Sequence, residues 1–330
     1  MCIFLRRCFL ITILTLSARA ESLDSTFELS PAMTELIHTP RRAPADWKER
    51  TGAVFLNQEW EKDRKIRWYV ELQRDGGRWV QAGLAHRNEE TIAWGLKQLH
   101  WGFQQMAEDG SFACDDAFHS ATFLVETTAH SILLIESSPF AKTFQPQVAE
   151  LKKPLLRCAL WMASSFNFSA AEKQRIYTHR RFLVGCALMQ TALIHDNKLL
   201  RQTAEYFIQD GTRMQRHDGA FLEKGGHDSS YHAVAMIYFQ RILMVTPLEW
   251  LADSWKTSLD QGMRWMVGRV KENGEVEVKG NTRTGLGQEK GRTGRLKGVN
   301  LPEFATALLY YAYRSNNPHY EALARKVLGK

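Results

Sequence analysis

Residues 218–232 read Asp218-Gly219-Ala220-Phe221-Leu222-Glu223-Lys224-Gly225-Gly226-His227-Asp228-Ser229-Ser230-Tyr231-His232. A glycine turn here ends one helix and a polar cluster starts the next, which the spacing predicts from about Asp228 to Val245. Asp228 or Ser229 suits the N-cap, because a short side-chain oxygen accepts a free N–H of the first turn. His227 and Tyr231 are four apart, as are Asp228 and His232, so each pair shares a face if the helical turn includes both. A histidine beside a tyrosine at a helix mouth suits proton transfer. The same residues also suit a plain capping cluster with surface hydroxyls.

The turn recurs along the chain. Asp109-Gly110-Ser111-Phe112 matches Asp218-Gly219-Ala220-Phe221, and Asn273-Gly274-Glu275-Val276 is a weaker third copy. The spacings, 109 and 55 residues, fit a unit of about 55 if a degenerate copy lies near Ser164-Ser165-Phe166. A repeat of that period points to stacked supersecondary units, each a helix, a turn and a second helix packed back on it.

Apolar periodicity extends the helical pattern over most of the chain. Asn88 caps a helix with Glu89 and Glu90 in its first turn, and Ile92, Leu96, Leu99, Phe103 and Met106 form its apolar stripe. Further helices are expected at about 117–136, 143–163, 170–195, 197–215, 228–245, 248–268, 301–314 and 317–328, joined by the short turns of antiparallel neighbours. Residues 21–87 read as an extended N-terminal arm and first elements, with Asp75-Gly76-Gly77 as a turn and 66–70 ambiguous between strand and helix. Residues 271–300 stand apart, with seven glycines and seven lysines or arginines. Alternation in Glu275-Val276-Glu277-Val278 predicts a short strand or β-hairpin insertion within a basic loop. Such a loop between well-formed helices reads as substrate-facing, or else as a solvated excursion. The expected fold is all-α: helix hairpins over 88–330 stacked as a solenoid or, preferably, closed into an incomplete α/α toroid. In the toroid one rim gathers 109–119, 218–232 and 271–300.

The first twenty residues read as a secretory signal peptide. Arg6 and Arg7 precede the apolar run from Cys8 to Leu16, and Ala18-Arg19-Ala20 is a small-x-small cleavage site. A periplasmic or secreted address is therefore expected, with no membrane insertion. The segment carries three arginines and no acid, so its removal lowers the net charge from +7 to +4. That modest basic excess is compatible with an anionic partner, while export and the lack of a basic helix argue against nucleic acid. Cys114, Cys158 and Cys186 remain, too few for a disulfide scaffold and without zinc-site spacing. Cys158 and Cys186 read as buried thiols. No spacing of His, Asp and Glu makes a metal site, and no cofactor is expected.

The hairpin pattern, the Asp-Gly-Ser-Phe turn after a Trp- and Gly-containing helix, and the Gly-Gly-His-Asp-Ser-Ser-Tyr-His helix start resemble the α/α-toroid polysaccharide lyases of the alginate, glucuronan and heparinase types. The likeness covers 88–315 as architecture and 227–232 as a motif. It implies β-elimination on an anionic, uronate-containing polysaccharide or oligosaccharide, performed by a histidine and a tyrosine near helix ends. Several such lyases place an asparagine beside the histidine, whereas Gly226 stands here, so another residue must neutralise the substrate carboxylate.

Elimination requires a base for the C5 proton, an acid for the departing oxygen and a cation or donor for the carboxylate. Tyr231 is the expected acid, and also a candidate base, with His227 as neutraliser or base. Tyr177-Thr178-His179-Arg180-Arg181 adds His179 to the catalytic candidates. Arg180 or Arg181 suits a bidentate carboxylate clamp, or else a solvated, salt-bridged face. His119, ten residues past Asp109 as Asp228 is past Asp218, and His232 are further binding candidates. Arg283, Arg292 and Arg295 can close the Gly-rich loop over a polyanion. Two other readings remain open. A glycoside hydrolase on a six-hairpin barrel would use paired carboxylates from Asp115, Asp116 and Asp228, with Glu126 and Glu223 behind them. A glycan-binding toroid would need no catalytic pair.

Overall fold

A computed structural model describes residues 24–54, 69–291 and 294–330. Residues 1–20, with the expected signal peptide, and Arg292 lie outside the described residues, as does all but the end of the 66–70 segment. The chain is all-α, with no strand among the described residues, and no described helix is long and apolar enough to cross a membrane.

A 3-10 turn, Asp24–Leu29, leads into α1 (Pro31–Leu36), α2 (Tyr69–Leu72), α3 (Asp75–Ala85) and α4 (Glu89–Gln104). After α5 (Ala117–Glu136) and α6 (Ala141–Met162) comes the short α7 (Ser165–Lys173). The chain continues through α8 (Thr178–His195), α9 (Lys198–Arg213), α10 (Ser229–Val245), α11 (Asp253–Val267), α12 (Leu301–Ser315) and α13 (Pro318–Val327). Sequence capping accounts for several starts. Asn88, Asn197 and Asn300 each accept an N–H from three residues on, at 2.9–3.2 Å.

The helices pair as hairpins: α3 with α4, α5 with α6, α8 with α9, α10 with α11, and α12 with α13. The first members also pack on one another in series, α3 on α5, α5 on α8, α8 on α10 and α10 on α12. Burial separates two layers. Helices α5, α8 and α10 are buried around nearly their whole circumference, whereas α4, α6, α9 and α11 bury one stripe. The core lies between the layers and extends between neighbouring buried helices, where Phe182 of α8 stacks on Phe239 of α10 with centroids 4.4 Å apart. The two thiols expected to be buried, Cys158 and Cys186, are buried and free. Glu28, 1% exposed, enters this interior and meets Arg241 and His130, both at 3.0 Å.

The three glycine turns share one geometry and carry each outer helix back to an inner one. Gly110, Gly219 and Gly274 have φ of +94°, +92° and +89°, and the preceding Asp or Asn accepts the N–H of the residue after the glycine. A Cβ at these glycines would lie 2.4–2.7 Å from the carbonyl oxygens of Gln261, Arg157 and Lys326. Left-handed backbone and close approach to the next outer helix thus both demand glycine. Gly52, at φ +95° against the Lys97 carbonyl, repeats the arrangement upstream. Near 164–166 the expected degenerate copy is replaced by the start of α7.

Three local expectations are corrected. Asp75-Gly76-Gly77 opens α3 and is not a free-standing turn. Its glycines serve helix packing, since a Cβ on Gly76 would meet the Gly95 carbonyl at 2.7 Å and one on Gly77 would meet Thr127 Oγ1 at 2.0 Å. Residues 275–278 form no strand; the segment is crossed only by isolated bridges such as Val270 with Val276. The helix expected over 170–195 is split at 174–177, where Tyr177 bridges to Glu223.

Candidate functional site

The first turns of the inner helices line one cleft of about 700 Å³. His119 comes from α5, His179 and Arg180 from α8, Ser230 and Tyr231 from α10, and Glu303 from α12; Arg74 precedes α3. The loop after α11 adds Arg283, Thr284, Glu289, Lys290 and Lys297. Five basic side chains against the carboxylates of Glu71, Glu289 and Glu303 leave a modest positive excess, to which the partial positive charge of the converging helix N-termini adds.

Asp228 explains how the loop is held. It is fully buried, and its Oδ1 caps α10 by accepting the Ser230 and Tyr231 N–H groups, both at 3.1 Å. Its Oδ2 accepts the N–H groups of Arg283 at 2.9 Å and Thr284 at 2.8 Å. Asn281 Oδ1 accepts the Ser229 N–H at 3.0 Å, and Ser230 Oγ accepts that of Asn300. The polar helix start is therefore mainly a clamp that pins both ends of the loop.

Tyr231 is the member of that motif whose side chain enters the cleft beside a histidine, and the histidine is His179. The rings lie 4.7 Å apart. The Tyr177–Glu223 bridge and the Lys224 N–H to Ile176 carbonyl bond, 2.8 Å, tie the turn after α9 to the start of α8. Glu223 is thereby placed with its Oε2 2.9 Å from His179 Nδ1. Burial pulls the His179 pKa below its usual value despite Glu223, so the ring is neutral at pH 7. With Nδ1–H donated to Glu223, the Nε2 lone pair is left to act as base.

Arg283 lies with its guanidinium carbon 3.5 Å from the Tyr231 ring centroid. It donates to Glu223 Oε1 at 2.6 Å and to Glu289 Oε2 at 2.7 Å. Lys297 Nζ donates to the Tyr231 hydroxyl at 2.9 Å and also bonds Glu289. Burial raises the Tyr231 pKa, with Arg283 and Lys297 partly opposing it, so the phenol keeps its proton. A neutral imidazole and a protonated phenol between two cations can pass protons to and from a substrate.

The other sequence candidates divide. His119 lines the cleft with its ring 4.7 Å from that of Phe123. Arg180 lines it too, over the Tyr177 ring at 4.9 Å and near Asp116 at 3.4 Å. His227 is not brought to the cleft: α10 begins at Ser229, so His227 precedes the cap and helical spacing does not carry it to Tyr231. It packs instead against Trp265, with centroids 5.3 Å apart. His232 is turned into the core, with Nε2 2.9 Å from the Gly262 carbonyl and Nδ1 accepting the Phe221 N–H at 3.3 Å. Arg181 faces away from the cleft and pairs with Asp210 and Glu172 at 2.8 and 2.7 Å. Gly226 has no room for the asparagine of the lyase pattern, because a Cβ there would sit 2.6 Å from Thr282 Cγ2. Of the carboxylates suited to a hydrolase, Asp228 is consumed by the clamp, Glu126 pairs with Arg241 at 2.9 Å, and Glu223 holds His179 and Arg283. Arg74, Glu289, Lys290 and Lys297 were not singled out by sequence; their signal was position, in a basic loop or before a helix start.

Comparison of the chain with known protein families, with curated proteins and with solved structures finds no match.

Proposed function

We propose that this chain is an exported lyase that cleaves a uronate-containing polysaccharide or oligosaccharide by β-elimination, on a partly closed α/α toroid with an N-terminal arm. The observation that carries the reading is the His179 imidazole 4.7 Å from the Tyr231 ring, with Arg283 and Lys297 beside the phenol. Residues 1–20 would supply export.

His179 Nε2 removes the C5 proton, and the negative charge that spreads into the adjacent carboxylate is stabilised by basic groups of the cleft. The electron pair forms the C4–C5 double bond as the C4–oxygen bond breaks. Tyr231 gives its proton to the departing oxygen, and Arg283 and Lys297 stabilise the phenolate until a proton returns from the His179 side. Glu223 positions the imidazole by accepting its Nδ1–H. Arg180 and His119 would contact neighbouring sugars.

Purified protein mixed with a panel of uronate polymers should raise ultraviolet absorbance as the conjugated double bond forms. Growth of reducing ends without that absorbance would replace elimination by hydrolysis.

A further inference from the structure

Glu289 lies in the cleft wall, and three donors converge on its carboxylate. Arg283 reaches it with Nε at 2.7 Å and Nη2 at 3.1 Å, Lys297 bonds it, and the Tyr231 hydroxyl donates at 3.4 Å. Burial alone would raise its pKa, but the bonds from Arg283 and Lys297 outweigh that and hold it at about 2, so it is charged at neutral pH. The side chain is 25% exposed, at the cleft surface and not sealed beneath it. Arg283 does not depend on Glu289 for its place, since Glu223 fixes Nη1 at 2.6 Å and the Tyr231 ring lies beneath it.

We propose that Arg283 and Lys297 form the subsite for the substrate's carboxylate, and that Glu289 occupies it in the free protein and is exchanged for that carboxylate on binding. The proposal deepens the lyase reading and rests on it for the identity of the ligand. The physical case is charge conservation. Removing Glu289 would take from Lys297 the carboxylate it bonds and leave Arg283 paired with Glu223, which is unfavourable, and a second carboxylate added beside Glu289 would meet like charge. Exchanging one carboxylate for another keeps the donors satisfied and the local charge constant. It also frees the Tyr231 hydroxyl from Glu289, so that its proton can go to the leaving oxygen.

The test is calorimetric titration of wild type, Glu289→Gln and Glu289→Asp with glucuronate, which cannot be cleaved, and with glucose as the neutral control. Glu289→Gln removes the competing charge at nearly constant shape and should bind glucuronate roughly tenfold more tightly, with glucose unchanged. Glu289→Asp keeps the charge one methylene further back and should fall between; it carries the test alone if the glutamine variant does not fold. Unchanged or weaker glucuronate binding in the variants overturns the exchange and makes Glu289 a residue that positions Arg283 and Lys297. Polymer cleavage by wild type separates the two claims. Cleavage without the affinity gain sinks the exchange alone, and the gain without cleavage sinks elimination alone.

Discussion

Replacing Asp228 with alanine tests how the helix start and the basic loop are joined. The carboxylate is fully buried and accepts five hydrogen bonds, two from the first turn of α10 and three from Arg283 and Thr284. Loss of the cap costs about 1 kcal/mol. The loop N–H groups of Arg283 and Thr284 then lose their acceptor, at about 1–3 kcal/mol for each one that stays buried without a partner. Allowing for partial relaxation, Asp228→Ala should lower stability by about 3–5 kcal/mol in urea unfolding. Asp228→Ser restores the cap oxygen but cannot reach the loop, so it should recover only about 1 kcal/mol. Limited proteolysis should cut both variants within 271–300 faster than wild type. A loss near 1 kcal/mol for the alanine variant, with the loop as protected as before, would refute the clamp.

Other outcomes follow from the same contacts. Burial lowers the His232 pKa to about 4, below the usual histidine value, so its contribution is present above pH 6.5 and is lost as pH falls through 4. Stability should therefore drop by about 2 kcal/mol between pH 7 and pH 5, and His232→Gln should flatten that part of the urea-unfolding profile. With His179 shifted down and Tyr231 shifted up, turnover should rise through a pKa below 6.5 and hold into strongly alkaline solution. A steady-state pH–rate profile checks this, and His179→Ala should remove its acid limb. Tyr231→Phe should cut turnover on the best uronate polymer by about 10²–10⁴-fold with the melting temperature little changed. Gly219→Ala should destabilise by more than about 1 kcal/mol, because φ is +92° and the new methyl would lie 2.4 Å from the Gln261 carbonyl oxygen. Urea unfolding measures it.

The helices were legible because their signals are local. Asn88 and the apolar stripes give starts and faces, and the Asp-Gly-x-Phe turns mark where outer helices hand over to inner ones. The third copy, weak in sequence, is equal in geometry because an Asn oxygen and a glycine suffice for the turn. The cleft was only partly legible. His179 and Tyr231 could be named, but their pairing depends on inner helices α8 and α10 packing side by side. Helical spacing brings His227 to Tyr231 only if the helix includes it, and the cap at Asp228 leaves it outside. Glu223 orients a histidine 44 positions away and an arginine 60 positions away, and no local pattern encodes such pairs. Asp75-Gly76-Gly77 misled for the complementary reason: glycine marks close helix packing as well as turns.

The measurement that bears most directly on elimination by His179 and Tyr231 is product mass after digestion of a uronate oligosaccharide in heavy-oxygen water. Elimination adds no water, so the fragment masses should sum to that of the substrate and carry no heavy oxygen from the cleavage step. One heavy oxygen incorporated per bond broken would contradict the account and assign the cleft to hydrolysis.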